Sequence, residues 1–108
     1  MTPDLKKRFD KEVQEHKIVL YMKGNALFPR CGFSAAALAA LQPYGEVHTV
    51  DVLEEPEVRD GIKEYSSWPT IPQVYINGKF IGGSDIIRQL YETGQLEGLV
   101  QGAAAKTH

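Results

Sequence analysis

Apolar positions along the chain follow two rhythms. After Thr2-Pro3-Asp4, which places a cap residue, a proline at the first helical position and an acid in the first turn, Leu5, Phe9 and Val13 share one face and predict a helix ending near His16. Ile18 to Met22 is continuously apolar and too short for a buried helix, so it reads as a central strand covered on both faces. Gly24 to Arg30 is a loop, and the segment after Cys31 predicts a helix through alanines and leucines to Pro43, with a turn at Gly45. Val47 to Val52 is a second strand, reached through a helix and so expected parallel to the first. Pro56 opens a further helix in which Val58, Ile62 and Tyr65 keep helical spacing despite Gly61. Gln73 to Ile76 and Lys79 to Ile81 flank Asn77-Gly78, the signature of a two-residue hairpin with positive φ at both turn positions. Gly82-Gly83-Ser84-Asp85 leads into a helix carrying Ile86, Ile87, Leu90 and Tyr91, stopped by Gly94, and Leu96 to Val100 makes a short further turn. Residues 102–108 read as a frayed tail.

The order α, βαβ, α, ββ, α predicts an α/β protein of thioredoxin-like layout, a small four-stranded mixed sheet flanked by helices on both faces. At 108 residues the expectation is one domain over 1–108, with its core between about 5 and 100. A formal net charge of -2 gives no basic stripe to displace counterions, which argues against nucleic acid as a partner. No apolar run approaches the length of a membrane span, and the N-terminal stretch lacks the layout of a signal peptide. A cytoplasmic location is expected.

The chain has 1 cysteine, Cys31, so an intrachain disulfide is excluded and any sulfur chemistry must borrow a second thiol. A cysteine just ahead of a helix meets unpaired amides and the positive end of the helix dipole, both of which favour thiolate over thiol. Cys31 is therefore expected to be a soft, nucleophilic, metal-competent sulfur. Three residues on, where dithiol proteins carry a second cysteine, stands Ser34, which keeps a polar group near the sulfur but has no thiol to resolve a mixed disulfide. His16 and His48 have no further ligand at metal spacing and read as structural or solvated.

The stretches "MKGNALFPRCGFS" and "WPTIPQVYINGKFIGGSDI" resemble the monothiol glutaredoxins of the CGFS type, with a likeness running from about residue 5 to residue 100. Specificity comes from the ordered set: Lys23, the five-residue extension before Pro29, the Cys31 tetrad, Trp68-Pro69-Thr70-Ile71-Pro72 and Gly82-Gly83-Ser84-Asp85. The resemblance implies a thioredoxin fold, glutathione as ligand and a 2Fe-2S cluster shared between two subunits. It implies that Lys23 and Arg59 meet the glycyl carboxylate of glutathione, although Arg59 on sequence alone is equally a solvated helix charge. Thr70, Ile71 and Pro72 would form the loop whose cis Pro72 presents the Ile71 backbone to the glutathione cysteine. Gly82 and Gly83 would allow close approach, with Gly83 and Ser84 offering helix-start amides to the γ-glutamyl carboxylate and Asp85 facing its ammonium. Ser84 and Asp85 are also good helix caps in their own right. Trp68 is expected as core or wall, and Phe33 beside the site.

These expectations describe a carrier. A 2Fe-2S cluster is usually held by four thiolates, whereas one chain supplies a single sulfur, so two Cys31 residues and two glutathiones would complete the shell of a homodimer. Such a protein would transfer its cluster to acceptor proteins, and the resemblance suggests a mixed complex with a BolA-type protein as well. The alternative is a glutathione-dependent oxidoreductase that attacks glutathionylated proteins by a monothiol mechanism, with slow turnover at most.

Overall fold

The computed structural model describes residues 1–102. The tail expected at 102–108 falls outside the described residues from 103 onward, whereas Gly102 is ordered as the left-handed residue that closes the last helix. The elements are α1 (Pro3–Glu15), β1 (Ile18–Met22), α2 (Gly32–Leu41), β2 (Val47–Asp51), α3 (Pro56–Ser66), β3 (Gln73–Ile76), β4 (Lys79–Gly82), α4 (Ser84–Glu92) and α5 (Leu96–Gln101). The helix expected to reach Pro43 stops at Leu41 and continues as a 3-10 turn over Gln42–Tyr44, since proline has no amide to extend the α-helical ladder.

The four strands form one mixed sheet in the order β2-β1-β3-β4. β2 runs parallel to β1, while β3 is antiparallel to both β1 and β4. This is the thioredoxin-like architecture expected from the order of elements. β1 is buried along its whole length, and alternation sends its side chains into two cores. Ile18, Leu20 and Met22 pack with Leu38, Leu41, Ile87 and Leu96 under α2, α4 and α5. Val19 and Tyr21 pack with Phe9, Val13, Val58 and Ile62 under α1 and α3. Of the four apolar residues grouped on α4, Ile87 and Leu90 join the first core, but Ile86 and Tyr91 stay exposed.

Local signals explain most boundaries. The Thr2 side chain accepts from the Leu5 amide at 3.1 Å and caps α1. Asn77 and Gly78 take φ of 52° and 82°, as the tight hairpin requires. Asn77 also donates its side-chain amide to the Leu99 and Val100 carbonyls, tying the hairpin to the end of α5. Gly61 has a packing reason invisible in the sequence: a Cβ there would lie 2.5 Å from Leu5 Cδ2, so its absence lets α3 close onto α1.

Polar contacts reinforce that closure. Arg8 grips Glu55 with two nitrogens at 2.9 and 3.1 Å, Tyr65 donates to Asp10 at 2.6 Å, and Tyr21 donates to Glu12 at 2.7 Å. Beside this network the His16 and His48 rings stack face to face, with centroids 3.8 Å apart. Among the described residues no group of three or more His, Cys, Asp or Glu could hold a metal ion.

Burial, and then the facing His16 ring, hold the His48 imidazole below the ordinary histidine range, although Glu12 Oε2 lies 3.9 Å away. Folding thus weakens proton binding at His48. Its contribution is intact above the unfolded value of about 6.5 and is lost as pH falls towards the folded value. The melting temperature should therefore drop between about pH 7.5 and about pH 5.5, and His48→Gln should flatten the drop. A variant as steep as the wild type would remove His48 as the cause.

Candidate functional site

The site is built where β1 ends. The Lys23 amide donates to the buried Ser34 hydroxyl at 3.1 Å, which fastens the end of the central strand to the first turn of α2. Gly24 follows at φ 88°, and a Cβ there would lie 2.5 Å from the Phe28 carbonyl oxygen, so only glycine fits. Its amide donates to Asp51 Oδ1 at 3.0 Å, and the same oxygen accepts from Leu53 N–H, so the end of β2 braces the loop. Within the loop, Asn25 Oδ1 accepts from the Leu27 and Phe28 amides, and the Arg30 amide donates to the Lys23 carbonyl at 2.9 Å. The result is a pinned loop that holds Leu27 and Phe28 outward, 83% and 70% exposed.

Cys31 is the N-cap residue of α2, with extended backbone, and is half-buried. Its thiol is held below the ordinary range chiefly by the Ser34 backbone amide, with further help from the Phe33 amide, the Ser34 hydroxyl and the Lys23 charge, against a smaller opposing effect of burial. The cysteine stands directly ahead of the helix, as the sequence places it. Ser34 itself is fully buried, so the position that carries a second thiol in dithiol proteins is occupied by a structural hydroxyl.

A cleft of about 490 Å³ opens beside Cys31. Its walls bring together Lys23, Arg59, Thr70, Ile71, Pro72, Gly83, Ser84 and Asp85, the whole set singled out from the sequence apart from Cys31 and Gly82. Cys31 is not itself a lining residue; it precedes by two positions Phe33, which lines the cleft and is 65% exposed. Trp68 forms wall rather than core. The Ile71-Pro72 bond is cis, and Ile71 buries its side chain in the core below. Gly83 sits against the Pro72 carbonyl, 3.3 Å from where a Cβ would be.

Two features depart from the sequence reading. Ser84 and Asp85 do not cap α4: Gly83 is its N-cap, no side chain bonds to the helix start, and both residues lie inside the first turn. Serine and aspartate are favoured at the N-cap itself, where a side-chain oxygen can reach the free amides; with glycine there, those amides have no side-chain cap, and Gly83, Ser84 and Asp85 line the cleft. The second departure is Lys63, which lines the cleft and was not singled out. Its signal was present, since Lys63 follows Arg59 by one helical turn and shares its face.

Lys23, Arg59 and Lys63 thus place three cations in the cleft, with Asp85 on α4. Arg59 Nε is buried with no hydrogen-bond partner among the described residues, and its ion-pair contact with Asp60 Oδ1 is long, at 3.5 Å. The side chain as a whole is 43% exposed, and a carboxylate suits its fork. The lining thus sets three cations and one carboxylate within one cleft.

A family model described as glutaredoxin matches residues 18–81. A monothiol glutaredoxin, ycf64-like, of Synechocystis is 49% identical over 106 residues, covering 97% of this chain and 99% of that one. Glutaredoxin 4 of Escherichia coli is 41% identical, covering 92% and 87%. The solution structure of reduced poplar apo GrxS14 superposes with a TM-score of 0.84 at 46% identity, covering 97% of both chains.

Ser34→Ala keeps the backbone amide and removes only the hydroxyl, which also favours the thiolate, so it should raise the Cys31 titration relative to wild type, read from the ultraviolet absorbance of the thiolate. The wild-type midpoint should lie below that of a free cysteine, about 8.5. A wild-type thiol that titrates at or above that value contradicts the assignment.

Proposed function

The chain belongs to the glutaredoxin family, with monothiol glutaredoxins among its relatives, and from that premise we propose that it binds glutathione in the cleft and carries a 2Fe-2S cluster as a glutathione-completed homodimer. The observation that carries this reading is the gathering of Lys23, Arg59, Lys63 and Asp85 in one cleft beside the single cysteine. Lys23 and Arg59 take the glycyl carboxylate, with Lys63 as a third cation on the same face of α3. The Ile71 backbone pairs with the cysteinyl residue in the manner of an added strand. The amides around Gly83 and Ser84 receive the γ-glutamyl carboxylate, and Asp85 receives the ammonium.

The cluster is cargo, and its ligand count sets the assembly. One chain provides one thiolate, and among the described residues nothing else forms a metal-ligating group, so two Cys31 sulfurs and two glutathione sulfurs supply the usual four. Half of that shell is held noncovalently, which suits transfer to acceptor proteins. The exposed Leu27, Phe28 and Phe33 near the sulfur offer apolar surface for the second copy, or for a BolA-type partner in a mixed complex. The protein acts in the cytoplasm, where glutathione is abundant.

A second activity follows from the lowered Cys31 pKa. The thiolate attacks the glutathione sulfur of a protein–glutathione mixed disulfide, the S–S bond breaks, and the protein leaves as a thiolate that takes up a proton. A second glutathione, as its thiolate, then attacks the Cys31–glutathione disulfide, releasing glutathione disulfide and regenerating the Cys31 thiolate. With buried Ser34 at the resolving position, this last step is intermolecular and slow.

Anaerobic reconstitution with iron, sulfide and glutathione, followed by visible absorption and gel filtration, tests the carrier reading. A coloured dimer should form, bleach to a colourless monomer when glutathione is removed, and fail to form with Cys31→Ser. A coloured monomer without glutathione, or a normal cluster in the variant, would reject it. Arg59→Gln should weaken glutathione binding roughly tenfold, the size expected for loss of one charge-assisted contact, and an unchanged affinity would remove Arg59 from the binding set.

A further inference from the structure

We propose that Gln73 is a positioning residue for the glutathione cleft: its buried amide fixes the peptide plane that carries the Ile71 N–H. The inference rests on the reading that the cleft takes glutathione. Gln73 is fully buried at the start of β3, opposite Tyr21 and two residues before Tyr75, on the core face shared with α1 and α3. An apolar side chain would be the ordinary occupant of such a place. Instead Nε2 donates to the Trp68 carbonyl at 3.0 Å and to the Thr70 carbonyl at 3.2 Å, and Oε1 is met by the Tyr75 hydroxyl at 3.4 Å. Both amide hydrogens therefore end on the segment between α3 and β3 that walls the cleft.

That segment has few ways to brace itself. Pro69 and Pro72 have no N–H, which leaves it short of backbone donors. Its N-terminal end is held by α3: the Trp68 amide donates to the Lys63 carbonyl and to Ser66 Oγ, both at 3.1 Å. Further along, the Gln73 amide supplies the ties to the Trp68 and Thr70 carbonyls. The Thr70 carbonyl and the Ile71 N–H belong to one planar peptide unit, so holding the carbonyl inward aims the N–H. Gln73 thereby acts on ligand binding through Ile71 without touching the ligand.

Glutathione affinity can be measured by the shift of backbone amide resonances on titration with reduced glutathione, for wild type, Gln73→Met and Gln73→Glu. Val100→Ala, a core truncation on α5 away from the cleft, serves as the control for general destabilisation. Gln73→Met keeps length and packing but donates nothing; it should weaken binding tenfold or more, about 1.4 kcal/mol, with the Cys31 titration unmoved. Gln73→Glu turns two donors into acceptors facing two carbonyls, and should bind weakly at neutral pH and partly recover as the buried carboxyl is protonated and regains one donor. The control should stay within about twofold of wild type, a difference of well under 1.4 kcal/mol.

In the wild type the Gln73 side-chain amide resonances should exchange slowly with solvent and shift when glutathione is added, a readout that does not depend on any variant folding. Variants that bind like the control, or wild-type amide resonances that exchange freely and do not respond to ligand, overturn the positioning role while leaving the glutathione reading intact. A wild type that binds no glutathione overturns both.

Discussion

The hydrogen bond from the Lys23 amide to the buried Ser34 hydroxyl is the joint on which the site turns. β1 is locked between two cores, and Lys23 follows directly on its fully buried last residue, Met22. Tying the Lys23 amide to the first turn of α2 passes that rigidity to the helix start where Cys31 sits. The same hydroxyl also favours the thiolate, so the residue that sets the geometry contributes to the chemistry. Removing the second thiol of a dithiol pair thus leaves the position with a different task. Asp51 completes the joint by bracing Gly24 from the neighbouring strand.

The two ends of the molecule treat polar groups in opposite ways. On the α1–α3 side, Arg8, Glu55, Asp10, Tyr65, Glu12 and Tyr21 find partners within the protein. Around the cleft, cations stand together, the Arg59 Nε has no hydrogen-bond partner among the described residues, and the α4 start is left uncapped by side chains. Folding alone does not reward that arrangement, because like charges repel and unfilled donors lose solvation. On the proposed function, an anionic ligand offsets that cost, and this contrast between satisfied and unsatisfied regions marks the cleft more clearly than its shape.

Much of this was legible in the residues. Short apolar runs, Asn77-Gly78 and the cap at Thr2 located the elements because each is a local device whose physics acts within a few residues. The cleft residues were found through their motif, since Lys23, Arg59, Thr70 and Asp85 come from separate elements and no periodicity joins them. What escaped depended on packing between distant segments. Gly61 looked like a defect in α3 until Leu5 was seen to occupy the space. Gln73 read as the first residue of a strand, because the carbonyls it serves belong to a loop folded back over it. The placing of Ser84 and Asp85 as caps failed by one and two positions, because a glycine can itself begin a helix.

The pinned loop ahead of Cys31 has a thermodynamic consequence. Leu27 and Phe28 project from a backbone already stitched by Asn25, Gly24 and Arg30. Immobilising a floppy segment on association would subtract roughly 1–2 kcal/mol for each residue ordered. Here that conformational entropy is surrendered when the chain folds, so whatever covers the two side chains forfeits little beyond their rotamer freedom, and even a modest contact area can be enough to hold it.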